Sequence, residues 1–253
     1  MNLDKLYIST TASDAYDAAQ KYGLGIEIAD FCTALNIDDN FAETDKHLKN
    51  KLDGIERRLF HAPFNELFPC AIDKKARELA FFRYKQAVTL TEKYGASKVI
   101  IHGGYNPYMY YPEWYVEQSV LFWRDFMDTL SENVHIVLEN VSEETPQLLL
   151  DIVKGVKDSR MKICLDIGHI NVYSKISVTE WIEQCKGFVG HFHIHNNDGT
   201  YDSHNAPENG SILMKEVLPL AEKLCPDATY TLETMSAEAS VHRIMQLNKY
   251  LQQ

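Results

Sequence analysis

Short apolar runs alternate along the whole chain with longer stretches whose apolar positions recur every three to four residues. Val99-Ile100-Ile101 and Ile136-Val137-Leu138 are nearly continuous in apolar residues, the pattern of strands covered on both faces. Asp73 to Tyr94, Trp114 to Leu130 and Ala237 to Leu251 carry the helical period instead. The runs predict eight strands, at Leu6 to Ser9, Gly25 to Ala29, Glu56 to His61, Lys98 to His102, His135 to Glu139, Lys162 to Asp166, Phe188 to His193 and Thr229 to Glu233. Eight strands, each followed by a helical stretch, predict an α/β protein of parallel βα units that closes into a single (β/α)8 TIM barrel.

The length of 253 residues suits one such barrel, and 45% hydrophobic with 11% aromatic residues can fill its core. No linker, low-complexity stretch or tandem repeat divides the chain, so residues 1–253 are expected to form one domain. Met1 to Thr11 lacks the basic-then-apolar order of a secretion leader, and no run of 18 apolar residues occurs, which points to a cytoplasmic protein with no membrane partner. Cys32, Cys70, Cys164, Cys185 and Cys225 are odd in number and show no CxxC spacing, as expected of reduced, buried thiols that hold no metal. A formal charge of -11 argues against a nucleic-acid partner, whose phosphates call for Lys and Arg; three bound divalent ions would leave -5, still acidic.

Ionisable residues gather at the strand ends. Strand three ends in His61-Ala62-Pro63-Phe64, strand four in His102-Gly103-Gly104, strand five in Glu139-Asn140, strand six in Asp166-Ile167-Gly168-His169 and strand eight in Glu233. Strand seven carries His191-Phe192-His193-Ile194-His195, and its loop adds Asp202-Ser203-His204. In a closed parallel barrel all these ends converge on one face. A lone strand-end histidine is ordinarily just hydrogen-bonded, but acids or histidines at six consecutive strand ends have no packing rationale. Divalent ions take imidazole nitrogen and carboxylate oxygen as ligands and offset the cost of burying such a group. The donor mix favours zinc, with manganese or iron next, over calcium. Alternation puts His191, His193 and His195 on one face; strand position selects His193 as the ligand, leaves His195 as a supporting or substrate-contacting residue, and makes His191 structural. His47, His135 and His242 read as surface or packing residues.

These runs resemble the xylose-isomerase-like barrel superfamily, which includes endonuclease IV, ketohexose epimerases and sugar phosphate isomerases/epimerases. His61 to Phe64 followed by Glu66-Leu67, Pro69 and Asp73 resembles the sugar phosphate isomerase/epimerase branch, and Gly25-Ile26-Glu27-Ile28 and Leu165 to His169 fit as well. The endonuclease IV pattern implies that His61, His102 and Glu139 hold one metal, that Glu139 bridges to a second held by Asp166, His193 and Glu233, and that His169, Asp202 and His204 hold a third. The ketohexose epimerase pattern implies a single ion on Glu139, Asp166, His193 and Glu233. The resemblance departs at Ala206-Pro207-Glu208-Asn209-Gly210, where the family has a Gly-rich turn, and Glu208 is expected to block or alter part of the site.

Two chemistries share these residues. In the first, the substrate is a small sugar or sugar phosphate, and Glu139 and Glu233 act as base and acid in an isomerisation or epimerisation through a metal-stabilised enediolate. In the second, two or three zinc ions serve an endonuclease IV-like phosphoester hydrolysis. Nine ligands favour the hydrolase; the absence of Lys and Arg from Gly103 to Tyr115 and from Asn196 to Leu213 disfavours a duplex-binding rim. Lys74, Lys75 and Arg77 could neutralise one phosphate, or merely be a solvated helix start. Phe64, His195, Tyr105 and Trp114 are the candidate substrate contacts, the latter two from an aromatic run, Tyr105 to Tyr115, that is equally suited to packing between loops or to a homo-oligomer contact. A non-catalytic metal- or sugar-binding protein is the third reading.

Overall fold

The structure, a computed structural model, describes residues 2–251. Its strands, β1 (Leu6–Ser9), β2 (Gly25–Ile28), β3 (Arg58–His61), β4 (Lys98–His102), β5 (His135–Glu139), β6 (Met161–Asp166), β7 (Val189–Ile194) and β8 (Thr229–Leu232), pair in parallel in chain order. β1 also pairs with β8, Leu6 opposite Tyr230, so the sheet is a closed (β/α)8 TIM barrel. The helices outside it are α1 (Ala15–Tyr22), α2 (Ala34–Asp38), α3 (Phe41–Lys51), α4 (Lys74–Lys93), α5 (Pro112–Met127), α6 (Gln147–Val156), α7 (Ile167–Tyr173), α8 (Val178–Cys185), α9 (Met214–Leu224) and α10 (Ala237–Leu251).

The departures from the sequence pattern have local causes. β2 and β6 are each followed by two helices rather than one. β3 starts at Arg58, not Glu56, where the Arg58 guanidinium donates to the carbonyls of Ile55, Leu52 and Tyr94 and ties the strand's entry to two neighbouring segments. α5 starts at Pro112, two residues before Trp114, because proline at the first helical position gives up an N–H that has no intrahelical acceptor there.

Successive residues of each strand face opposite ways, and this separates two cores. The outward residues, such as Phe60, Val99, Ile101, Ile136, Leu138, Phe192 and Tyr230, join the large apolar layer beneath the helices. Inside the barrel the apolar cluster is small, Tyr7, Leu59, Ile100, Val137 and Cys164, and Gly25 and Gly190 also face inward beside polar positions such as Glu27, Lys98 and His191. No described helix is long and apolar enough to cross a membrane.

Between α4 and α5, Trp123 stacks on Tyr84 with centroids 5.5 Å apart, beside Phe122 and Phe126. Trp123→Ala should therefore cost about 3–5 kcal/mol of stability. Tyr84→Phe should change it by less than about 1 kcal/mol, because the buried Tyr84 hydroxyl has no hydrogen-bond partner to lose. Denaturant midpoints measure both, and a reversed ranking would mean that this cluster is not what anchors the helices.

Candidate metal centre

The inward position nearest the carboxyl end is His61 on β3, His102 on β4, Glu139 on β5, Asp166 on β6 and His193 on β7, with Glu233 one residue beyond β8. Barrel closure brings these together, and the β7 loop supplies the rest. Asn196 pins that loop: its side-chain amide donates to Pro207 and Ile212 carbonyls, its oxygen accepts from Ile212 N–H, and its backbone pairs with Asn205. A Cβ on Gly210 would lie 2.1 Å from Asn196 Oδ1, so only glycine fits there. Glu208 is exposed and absent from the cavity lining, so it does not block the site as expected; the Asn196 anchor turns it outward.

Four groups of donors result, each with its ligand atoms within 4.8 Å of one another; one is Cys164 with His191 and His193, and the other three are made of the strand-end and β7-loop residues. In the first of these three, Glu139 Oε2 lies 3.4 Å from both His61 Nε2 and His102 Nε2. In the second, His193 Nδ1 lies 2.9 Å from Glu233 Oε2, 3.2 Å from Glu139 Oε1 and 3.6 Å from Asp166 Oδ2. In the third, Asp202 Oδ2 lies 3.2 Å from His169 Nε2 and 3.1 Å from His204 Nε2. These are the nine residues expected from the sequence, divided as the resemblance implied, with Glu139 shared between the first two groups.

The backs of the rings are held as metal ligands require. The Nδ1–H groups of His61, His169 and His204 donate to the carbonyls of Ala62, Asn140 and Glu233, each at 2.9 Å, which leaves Nε2 as the nitrogen facing its group. Buried Glu139 Oε2 and Asp202 Oδ1 have no hydrogen-bond partner, an arrangement that a cation would repair. His204 holds a left-handed backbone, φ 47°, unusual for a residue with a Cβ. The residues therefore fit a divalent metal.

Electrostatics agree. Burial opposes ionisation of Glu139, but its contacts with His193 and His61 outweigh it and hold its carboxyl well below the usual range. Burial, aided by the neighbouring His61 and His169, drives His102 down to about 4, so its ring is neutral and available as a ligand. At His204 burial is outweighed by Asp202 and its neighbours, and the pKa rises to about 9.

The candidate substrate contacts separate. Phe64 stacks on His102, centroids 4.3 Å apart, and lines a cavity of about 380 Å3 over the donors, along with Thr11, Cys32 and Met235. Tyr105 lines an adjoining cleft that shares Phe64 and His102. His195 does not reach the cavity; it is fully buried with Nε2 2.9 Å from Asp166 Oδ1, and Gly168 makes room for its ring. Trp114 is turned away as well, its indole N–H donating to Cys70 O at 2.8 Å. Lys74, Lys75 and Arg77 line neither space, and no Lys or Arg appears in either lining.

Glu27 was not expected at the site. It is fully buried on β2 with Oε1 3.1 Å from His193 Nε2. The signal was in the sequence: an acid inside Gly25-Ile26-Glu27-Ile28, a run otherwise fit for burial. Asn140 was missed too; its amide bridges the backbone of Asp166, donating to the carbonyl and accepting from the N–H.

A closed parallel barrel with a buried carboxylate–imidazole centre at its C-terminal mouth defines the class of TIM-barrel proteins that carry a candidate metal site at the strand ends. Within that class the chain belongs to the xylose isomerase-like TIM barrel family, whose profile matches residues 16–249. A solved D-tagatose 3-epimerase-like protein superposes with a TM-score of 0.81 at 22% identity, over 98% of this chain and 97% of that one. A Thermus thermophilus protein soaked with zinc chloride superposes with a TM-score of 0.78 at 21% identity, over 97% and 98%. An uncharacterised protein of Methanocaldococcus jannaschii is 28% identical over 209 residues, 76% of this chain and 69% of its own length. At these identities the solved structures bear on the fold.

With a pKa near 9, the His204 ring is protonated at neutral pH and must lose its proton to ligate. Zinc uptake should then release protons, and zinc affinity should rise from about pH 6 to about pH 9 and level off above it. Calorimetry in buffers of differing ionisation enthalpy counts these protons; a pH-independent affinity would remove His204 from the ligand set.

Proposed function

We propose that the protein is a divalent-metal-dependent isomerase or epimerase of a small sugar or sugar phosphate, with Glu139 and Glu233 as the proton-transferring pair. One observation carries this reading: two ionised carboxylates meet at His193 Nδ1, 3.2 and 2.9 Å away, on the floor of a cavity sized for a small molecule. Zinc is the metal that the donor set favours, with manganese or iron as alternatives. A bound ion would supply Lewis-acid polarisation of a carbonyl and its neighbouring hydroxyl. Glu139 takes the proton from the carbon beside the carbonyl, and the C–H electron pair becomes the double bond of an enediolate. Return of that proton from Glu139 to the other carbon isomerises; for epimerisation Glu233, ionised at rest, takes up a proton from solvent and delivers it to the opposite face. Phe64 and Met235 wall the cavity and limit water. A lining free of Lys and Arg favours an uncharged sugar over its phosphate.

The second reading is zinc-dependent phosphoester hydrolysis, favoured by the two further donor groups that a single-ion epimerase would not need. A silent metal- or sugar-binding protein is the third. No nucleic-acid partner is proposed, since neither cavity offers a cation for the strand.

Incubation of metal-loaded protein with ketoses and their phosphates in heavy water distinguishes these. The isomerase reading expects deuterium beside the carbonyl by NMR; cleavage of a phosphodiester panel to monoester and alcohol without exchange would replace it by the second, and metal or sugar binding with neither would leave the third. Glu139→Gln should lower metal content and reduce turnover by at least about a thousandfold, since it removes both a ligand and the base. Elemental analysis should return about one equivalent for the epimerase and about three for the hydrolase.

A further inference from the structure

Of the four ligand histidines whose second nitrogen has an identified partner, three back onto a backbone carbonyl and turn Nε2 to their group. His193 alone is reversed: Nδ1 faces the carboxylates and Nε2 faces into the barrel. Behind it runs a continuous polar path. Lys98 Nζ, at the opposite end of β4 from His102, donates to Thr229 Oγ1 at 2.9 Å and to Gly190 O at 2.8 Å. Thr229 Oγ1 is 2.7 Å from His191 Nδ1. His191 Nε2 is 2.9 Å from Thr231 Oγ1 and 3.2 Å from Glu27 Oε2. Thr231 donates its hydroxyl to Glu27 Oε2 at 2.5 Å, and Glu27 Oε1 makes the 3.1 Å contact with His193 Nε2. That last contact is an ion-pair approach without hydrogen-bond geometry, and neither of its two buried atoms has a hydrogen-bond partner.

The path has one direction. An ammonium group has only donors, so Thr229 accepts from Lys98, and its own proton goes to His191 Nδ1 at 2.7 Å in preference to the Gly190 carbonyl, which is 3.5 Å away and already accepts from Lys98. That leaves the His191 proton on Nε2, where it meets acceptors at Thr231 and Glu27. Glu27, a carboxylate, can only accept, and therefore calls for a proton on His193 Nε2. We infer that the buried Glu27 carboxylate, the acceptor on which the chain of donors from Lys98 through Thr229 and His191 converges, keeps the His193 proton on Nε2, so that Nδ1 is the nitrogen offered to a cation. Glu27 and Lys98 are thus positioning residues, one directly behind the ligand and the other at the far mouth of the barrel. Lys98 sits where burial lowers its pKa to about 8, and it is still charged at neutral pH.

The inference rests on the metal reading of the centre, and zinc affinity at pH 7, measured by chelator competition, tests both. Glu27→Gln should raise the zinc Kd about 10–100-fold, the usual consequence of losing a ligand's supporting carboxylate. Lys98→Met should raise it a few-fold. The sign is decisive, because removing a positive charge would by Coulomb's law alone tighten cation binding. Lys162→Met is the control: Lys162 donates to Gly187 O at 3.1 Å and is not a link in the chain. It should leave affinity unchanged or slightly tighter. Melting of the zinc-free proteins shows which variants fold, and Lys98→Met, outside the donor cluster, keeps the test open if Glu27→Gln does not. Unchanged or tighter zinc binding in Lys98→Met, or unchanged binding in a folded Glu27→Gln, overturns the chain. Absence of zinc binding in the unmutated protein overturns the metal reading and this inference together, before any variant is compared.

Discussion

Taking the Glu139 carboxylate out of water is the constraint around which the barrel mouth is organised. It is 1% exposed, and among the described residues its ion-pair partners are histidines, with no Lys or Arg. A buried carboxylate without a partner costs several kcal/mol, so imidazoles must reach it from other strands. His61, His102 and His193 do so from β3, β4 and β7. Such convergence is available only where strand ends lie at one height around a closed ring. The pairing of β1 with β8 is therefore as necessary to the centre as any ligand.

The alternation of side chains along each strand divides the labour. On β4, Lys98, Ile100 and His102 face inward while Val99 and Ile101 join the outer core; on β6, Cys164 and Asp166 face inward while Ile163 and Leu165 do not. The barrel interior thus has levels, with a cation at the N-terminal mouth, a thin apolar belt in the middle and the donor cluster at the C-terminal mouth. Stability resides mainly in the outer layer, which leaves the inner positions free to carry chemistry. On the side of β2, β7 and β8 the middle level is polar instead of apolar, and Glu27, His191 and Thr231 join the two mouths there.

The eight strands and the strand-end His, Asp and Glu were legible in the chain because both follow from period and position, whereas the full set of nine donors, with His169, Asp202 and His204 beyond the strands, followed from the family resemblance. Boundaries shifted where a side chain acts across segments, as Arg58 does at β3. The substrate-facing set was less legible. His195 shares its face with His193, and Trp114 lies in the same aromatic run as the exposed Tyr108 and Tyr111, so direction along the sequence does not separate a cavity wall from a buried support. Glu27 was visible as an acid among apolar residues but without a partner, because the partner is the His193 ring, far along the chain on β7.

Local pattern by itself determined the fold and the mouth at which the ionisable groups gather, since hydrophobic period and strand-end chemistry are properties of neighbouring residues, while the particular set of nine donors came from the family resemblance. Only the tertiary structure decided which nitrogen each histidine turns to the centre, which carboxylate stands behind His193, and that Glu208 points outward while His195 is buried. Those outcomes depend on hydrogen bonds and close contacts between segments far apart in the chain, where a few tenths of an ångström separate a ligand from its support.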